Sequence, residues 1–119
     1  MVKNILLVGL GGSVGAMLRY LLSIVIKSGD FPLATFIINV VGSLTLGMIM
    51  ASTIDNPSSG SRLLLATGLC GGFTTFSAFA YENMALLQSG KYEMALLYIV
   101  LSIVLSVAAT WLGFVIFQP

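Results

Sequence analysis

Four long apolar stretches, separated by short polar segments, make up almost the whole chain. The stretch from Ile5 to Ile26 contains one charged residue, Arg19, and that from Leu63 to Ser89 contains one, Glu82. The stretches 31–54 and 94–119 contain none. Because roughly 20 apolar residues cross a hydrocarbon core of about 30 Å, the pattern predicts an all-α integral membrane protein with four transmembrane helices. The predicted helices cover residues 4–26, 32–53, 62–88 and 93–117.

The composition supports this assignment. Of 119 residues, 58% are hydrophobic and 8% are charged, whereas a soluble domain carries about 25% charged residues. The first stretch is too long for a signal peptide, whose apolar region is about 7–15 residues. We therefore expect it to remain as a helix, and we expect residues 1–119 to form a single transmembrane domain without a soluble part.

Several classes of function are excluded by what the chain lacks. It contains no histidine, and its single cysteine, Cys70, has no partner for an internal disulfide. There is no nucleophile beside a base, no pair of carboxylates and no cluster of metal-ligating side chains. A net charge of +1 gives no reason to expect nucleic acid as a partner. An enzyme is not expected.

The third stretch contains a sequence that is poor helix material. Two adjacent glycines, Gly71 and Gly72, are closely followed by Thr74 and Thr75. The pattern predicts a break near residues 71–76, which a membrane tolerates only where the backbone faces protein, water or an ion. Freed carbonyls suit a monovalent cation, and freed N–H groups suit an anion; a simple packing notch is the alternative.

Polar residues recur on one face of the second and fourth helices. Thr35 and Asn39 are four residues apart, and an asparagine at this depth needs a partner on another helix or a hydrated path. The fourth helix carries four polar residues at a spacing of four, a pattern that predicts contact with a partner helix or with a hydrated path. These residues, which we call the polar stripe, are Tyr98, Ser102, Ser106 and Thr110.

The first helix combines closely spaced glycines with a charge. Gly11 and Gly15 have the spacing that lets two helix backbones approach. Arg19 and Glu82 should lie at similar depth, eight residues before the polar segments that follow their helices. We hypothesise that they form an ion pair or share a polar network; separate snorkelling to the headgroups is the alternative.

The positive charges that flank the helices are balanced between the two membrane faces. Lys3 and Arg62 would lie on one face, and Lys27 and Lys91 on the other. Since the excess of Lys and Arg on one side orients a membrane protein, this chain has almost no orienting bias. Either the bias is weak because charges are few, or the chain inserts in both directions and works as an antiparallel dual-topology homodimer.

The available chemistry favours passage of a small anion. Phe76 and Phe79 lie three residues apart, and an aromatic ring has a positive edge that can meet an anion, although such pairs are usually packing. Together with uncharged hydroxyl and amide donors, this inventory suits an ion that is held weakly at several sites. The absence of acidic residues near the predicted pathway argues against a cation pore.

Over essentially its whole length the chain resembles the Fluc (CrcB) family of fluoride channels. It departs from the usual family pattern at Ala78, where Thr or Ser is common, and at Ala34, which replaces a glycine. The motifs that carry the resemblance are Gly11-Gly12-Ser13-Val14-Gly15-Ala16 with Arg19-Tyr20, Thr35 to Asn39 with Gly42, and Gly71-Gly72-Phe73-Thr74-Thr75-Phe76-Ser77-Ala78-Phe79 with Glu82.

The resemblance implies a multi-pass protein of the bacterial inner membrane, assembled as an antiparallel homodimer with two fluoride pores. It implies that carbonyls of Gly71 and Thr74 hold a structural sodium ion at the dimer interface, and that Arg19 lies near a pore vestibule. The residues it places along the fluoride pathway are Thr35, Asn39, Thr75, Phe76, Ser77, Phe79, Tyr98, Ser102 and Ser106.

Two rival functions fit part of the pattern. A small multidrug transporter also has four spans and dual topology, but it needs a membrane-buried carboxylate in the first span, where this chain has only Arg19. A non-transporting scaffold subunit would need only small-residue packing, which leaves the third-span motif and the polar stripe without a purpose.

Overall fold

The computed structural model describes residues 1–119 and contains only helices and short connections. Four helical spans are long and apolar enough to cross a membrane, and the third is interrupted. The predicted four crossings and the broken third helix are therefore confirmed. The helices are α1 (Val2–Val25), α2 (Leu33–Ser52), α3 (60–73), α4 (Phe76–Gln88) and α5 (Tyr92–Phe117).

Apolar side chains cover the outside of the molecule rather than its interior. Only 17 of 119 residues are buried within the chain, and large aliphatic side chains on α1 and α5 point outward. In a bilayer the lipid tails solvate this surface, so that burial of apolar area provides little force between helices. The helices must instead be held by close backbone contact and by hydrogen bonds.

Close backbone contact joins α1 to α3. A Cβ atom added at Gly11 would collide with the carbonyl of Leu64, and one added at Gly72 would collide with the backbone of Gly12. Gly15 meets the backbone of α3 in the same way. The predicted approach of a second helix at Gly11 and Gly15 is confirmed.

A second glycine contact joins α2 to α5. Gly47 lies against the backbone of Thr110, and Gly113 lies against the backbone of Leu44. The Thr110 hydroxyl also donates to the Ser43 carbonyl at 3.0 Å. The chain thus contains two tightly packed helix pairs, α1–α3 and α2–α5, and the groove described below lies where they meet.

The break in the third span lies at Thr74 and Thr75, which have extended backbone angles (φ −79°, ψ 155° and φ −146°, ψ 119°). The Thr75 side chain then caps α4 by accepting a hydrogen bond from the Ala78 N–H at 3.1 Å. Gly71 and Gly72 remain helical. The glycines favour the break less than their low helix propensity suggests, and Gly72 serves instead as a contact for α1.

Before the break, α3 widens into a π-helix over Leu63–Cys70. A π-helix bonds each N–H to the carbonyl five residues back, as Gly71 does to Ala66. Such segments are rare and occur frequently at functional sites. The sequence provides no recognisable signal for it.

The α4–α5 connection is a glycine turn. Gly90 has φ 76°, and the N–H groups of Gly90 and Lys91 bond to the carbonyls of Leu87 and Leu86 at 3.1 and 2.9 Å, which is a Schellman cap. Lys91 also forms an ion pair with Asp30 at 3.0 Å. The two connections on this membrane face are therefore joined.

Candidate functional site

A groove of about 440 Å³ runs along one side of the molecule, between α2, α3, the break and α5. No aspartate, glutamate, lysine or arginine lines it. The walls combine hydroxyl and amide groups with apolar side chains, and the groove opens outward along its length. Six of the residues predicted for the pathway line this groove, namely Asn39, Thr75, Phe76, Phe79, Ser102 and Ser106.

The amide of Asn39 is bonded to the backbone of the break. Its Nδ2 donates to the Thr75 carbonyl at 3.2 Å, and its Oδ1 accepts from the Thr75 N–H at 2.9 Å. This is the pair of bonds that a neighbouring strand would make, so Asn39 stabilises Thr75 in its extended conformation. Of the two expected environments, a partner elsewhere in the chain or a hydrated path, the structure provides a partner, in the break of the third span. The second Nδ2 hydrogen is left without a protein acceptor.

The polar stripe on α5 divides into two kinds of residue. Tyr98 is fully buried and donates to Glu82, while Thr110 donates to the backbone of α2. Ser102 and Ser106 line the groove and make no hydrogen bond through their hydroxyls. The stripe therefore serves as a helix contact at its ends and as a groove wall in its middle.

The serine and threonine hydroxyls of the spans likewise form two groups, those bonded within the chain and those that line the groove without a bond. Serine and threonine hydroxyls in membrane helices commonly bond to the carbonyl three or four residues back, as Ser13, Thr45 and Ser52 do. Leaving aside helix ends, the serine and threonine hydroxyls of four residues make no such bond or any other, and all four line the groove. These are Ser43, Thr67, Ser102 and Ser106.

Two members of that set, Ser43 and Thr67, were not predicted as pathway residues. Ser43 follows Asn39 by one helical turn, a spacing that places it on the same face of α2. Thr67 could not be assigned because its orientation depends on the π-helix in which it lies.

The predicted Arg19–Glu82 pair is wrong. Arg19 Nε donates to the Gly72 carbonyl at 3.1 Å, because α1 packs against α3. Glu82 lies on α4 and faces α2 and α5, where its Oε2 accepts from the Thr35 hydroxyl and its Oε1 accepts from the Tyr98 hydroxyl, both at 2.8 Å. Both intramembrane charges are thus held by uncharged groups.

Thr35 and Tyr98 accordingly lie beside the groove rather than in its wall. Both are buried and point to Glu82. Ser77 is exposed at the start of α4, where its hydroxyl lies 3.2 Å from that of Thr75. Arg19 is bonded to the Gly72 carbonyl of α3. These four predicted residues surround the site without lining the groove.

The aromatic residues after the break lie close together. The rings of Phe76 and Phe79 have centroids 5.6 Å apart, and Phe79 lies 5.0 Å from the ring of Tyr98. Phe76 is 79% exposed, which is unusual for a ring that contacts another ring of the same chain. Phe79 is fixed by Tyr98, whereas Phe76 extends from the groove.

The break also frees backbone carbonyls. The Thr75 N–H bonds to Asn39 and so does not bond to the Gly71 carbonyl, as a continuous helix would require. The Thr74 carbonyl accepts no hydrogen bond, although the Thr74 N–H and hydroxyl both bond to Cys70. Gly71 and Thr74 border the groove, and two unpaired carbonyls there are suitable ligands for a hard monovalent cation.

This fold and site define a small multi-pass membrane protein in which an interrupted third span borders an uncharged polar groove. The family model described as CrcB-like protein, Camphor Resistance (CrcB), matches residues 6–114. The chain belongs to the CrcB family.

Named relatives cover nearly the full length. A protein of Azobacteroides pseudotrichonymphae, named fluoride-specific ion channel FluC, is 39% identical over 98% of this chain and 97% of its own. Proteins with the same name from Flavobacterium psychrophilum and Prosthecochloris aestuarii are 44% and 46% identical, over 96% and 92% of this chain and 96% and 88% of their own. The family resemblance inferred from the motifs is confirmed.

Proposed function

We propose that this protein is a fluoride-selective channel that exports fluoride passively across the bacterial inner membrane and so relieves its toxicity. The single observation that carries this proposal is the uncharged groove, which is lined by all the serine and threonine residues of the spans, helix ends aside, whose hydroxyls are unbonded. The names of relatives such as the Azobacteroides and Flavobacterium proteins support fluoride as the ion. The driving forces would be the membrane potential and the entry of hydrogen fluoride from acidic surroundings.

The groove matches the requirements of a small, strongly hydrated anion. Such an ion needs donors that replace its water, yet a fixed positive charge would hold it too tightly for fast release. Ser102 and Ser106 supply hydroxyl donors, and Asn39 supplies the amide hydrogen that Thr75 leaves free. Phe76 and Phe79 supply ring edges. The result is a sequence of weak contacts rather than one strong site.

The remaining predicted residues act around the groove in this proposal. Thr35 and Tyr98 hold Glu82, and Tyr98 in turn fixes the ring of Phe79. Ser77 and Thr75 form the hydroxyl pair at the start of α4. Arg19 contributes positive potential near a vestibule while its Nε remains bonded to Gly72.

A second copy of the chain would complete the pathway. The groove is open along its length, and the ring of Phe76 extends from it into the space that a neighbour would fill. Balanced flanking charges favour insertion in both orientations. We therefore propose an antiparallel dual-topology homodimer with two pores, each lined by both subunits.

A sodium ion fits the break of such a dimer. The carbonyls of Gly71 and Thr74 are the candidate ligands, because the break removes their helical donors. Two copies would supply four oxygen atoms of the hard type that sodium prefers. Bound there, the ion would offset the partial negative charge of the unpaired carbonyl oxygens.

Fluoride efflux from liposomes containing the purified protein tests the channel proposal. We expect rapid electrogenic fluoride release and little chloride release. No flux, or equal flux of both anions, would refute the proposal. Proton-coupled export of an organic cation in the same liposomes would instead support a multidrug-type transporter, and no transport of any solute would support a scaffold subunit.

The topology needs a separate measurement. A tag at the C-terminus should be accessible from both sides of the membrane in intact cells, in comparable amounts. Accessibility from one side only would remove the dual-topology proposal and leave the flux result unaffected.

A further inference from the structure

The groove contains two hydroxyl donors that the pathway proposed above does not use. Ser43 on α2 and Thr67 on α3 line it together with Ser102 and Ser106, and none of the four hydroxyls is bonded within the chain. We refer to these four residues as the hydroxyl track. Ser102 and Ser106 form its α5 wall, and Ser43 and Thr67 lie on other helices.

The position of Ser43 is fixed by its backbone. Its carbonyl accepts from Thr110, one turn beyond Ser106 on α5, and Asn39 lies one turn before it on α2. Because α2 and α5 run in the same direction, Ser43 and Ser106 both lie beyond the break, toward the membrane face where α3 begins. Thr67 precedes Thr74 by seven residues and lies on that same side.

The free hydroxyl of Thr67 lies in the π-helix. In an α-helix a threonine hydroxyl readily bonds to the carbonyl four residues back, as Thr45 does to Val41 at 2.9 Å. Leu63–Cys70 is wider, and its N–H groups bond five residues back. Thr67 makes no bond to its own helix and contacts the groove instead. The Thr67 hydroxyl is thus available as a donor, as are those of Ser43, Ser102 and Ser106 in the α-helical segments.

An unbonded hydroxyl in the membrane interior requires an acceptor from elsewhere. Leaving a polar group without a hydrogen bond in an apolar medium is unfavourable, and away from the helix ends the chain satisfies every other serine and threonine hydroxyl inside its spans. Four such groups on one groove, and none on the lipid-facing surface, indicate a shared acceptor that passes along the groove.

We propose that Ser43 and Thr67 donate hydrogen bonds to the permeating anion on the stretch between the break and the membrane face where α3 begins. This inference rests on the proposed channel function and extends it. On this stretch the anion would be held between the α5 serines and the two hydroxyls of α2 and α3, so that it replaces lost water from more than one side.

Fluoride efflux from liposomes containing Ser43→Ala or Thr67→Val tests the inference. Thr67→Val conserves shape, and Ser43→Ala leaves the carbonyl that Thr110 needs. A hydrogen bond to a charged partner is worth roughly tenfold or more in an equilibrium constant, so each variant should lose about 10-fold in fluoride flux at low fluoride concentration. The loss should decrease as fluoride concentration rises, because the weakened site in the variant is then occupied as fully as that of the wild type.

Thr45→Val is the matched control. Thr45 lies on α2, two residues from Ser43, but its hydroxyl is bonded to Val41 and it does not line the groove. Its flux should equal that of the wild type. Thr67→Ser, which retains the hydroxyl, should retain most of the flux that Thr67→Val loses.

Each remaining outcome is distinguishable. If the wild type passes no fluoride, the channel proposal fails, and this inference fails with it. If the wild type conducts and both Ser43→Ala and Thr67→Val match it, only the inference on the hydroxyl track is overturned. If flux falls only in proportion to the amount of dimer recovered by size-exclusion chromatography, the hydroxyls bind a partner helix, and the inference is also overturned. If one of the two variants misfolds, the fluoride flux through the other variant tests the inference.

Discussion

Replacing Asn39 by aspartate changes the bond between α2 and the break without changing its shape. One oxygen of the new carboxylate would still accept from the Thr75 N–H, as the Asn39 Oδ1 does at 2.9 Å. Its other oxygen, however, would replace the Nδ2 that donates to the Thr75 carbonyl at 3.2 Å. Two acceptors would then face each other, and a negative charge would lie in the wall of the groove.

The expected loss of fluoride flux follows from these two effects. Losing the donor costs about 1 kcal/mol. Two unit negative charges about 5 Å apart, at an effective dielectric constant of about 20, repel by roughly 3 kcal/mol. Because each 1.36 kcal/mol is a factor of ten, we expect Asn39→Asp to reduce fluoride flux by roughly two to three orders of magnitude at neutral pH.

Lowering the pH separates the effect of the introduced negative charge on flux from the effect of the altered hydrogen bonds. Once protonated, the introduced carboxyl group is uncharged and donates to the Thr75 carbonyl, which restores both original bonds. Flux through Asn39→Asp should therefore recover in part as pH falls, because the acid restores both bonds to Thr75 but lacks the second amide hydrogen of Asn39. Asn39→Ala, which makes neither bond, should remain low at every pH. Liposomes without protein correct for hydrogen fluoride that crosses the lipid unaided.

Size-exclusion chromatography should give the same profile for wild type and Asn39→Asp, since one of the two bonds is retained. Wild-type flux through Asn39→Asp at neutral pH would refute the reasoning. It would mean that Asn39 neither borders the ion path nor controls the break.

The remaining predictions concern stability, measured by thermal unfolding in detergent. Gly72→Ala inserts a methyl group against the backbone of α1 and should cost about 1–3 kcal/mol, whereas Gly9→Ala, which meets no atom within 4 Å, should be neutral or stabilising. Gly90→Ala should cost about 1–2 kcal/mol because a residue with φ 76° then carries a Cβ. Tyr98→Phe removes one of two donors to Glu82 and should cost about 1–3 kcal/mol; equal stability to the wild type would contradict each of the three destabilising assignments.

The fold was largely predictable because its signals are local in sequence. A run of apolar residues is enough to identify a span, and paired glycines such as Gly11 and Gly15 identify a close helix contact. The break was predictable as well, although for a partly wrong reason. Gly71 and Gly72 are helical, and the extended residues are Thr74 and Thr75, because Asn39 supplies backbone-like bonds that only the folded chain brings together.

Other features of the site depend on orientation, which one sequence does not contain. Arg19 and Glu82 were predicted to lie at equal depth in the membrane, but this was insufficient to predict a pair. Depth alone does not specify which neighbouring helix each side chain faces. Thr67 depends on a π-helix, Leu63–Cys70, that no pattern in the sequence marks. Both cases require knowledge of the rotation of a helix, whereas the prediction of spans requires only its length.

The positions of Arg19 and Glu82 also bear on selectivity. Each charge in the spans is bonded to uncharged protein groups, Arg19 to a carbonyl and Glu82 to two hydroxyls, and neither lines the groove. A cationic wall would bind every anion strongly and release it slowly, and an anionic wall would exclude them. With both charges held outside, discrimination must come from how well hydroxyl, amide and ring-edge contacts replace the water around each anion. That replacement favours the ion small enough to contact several donors at once, which is the property that distinguishes fluoride from chloride.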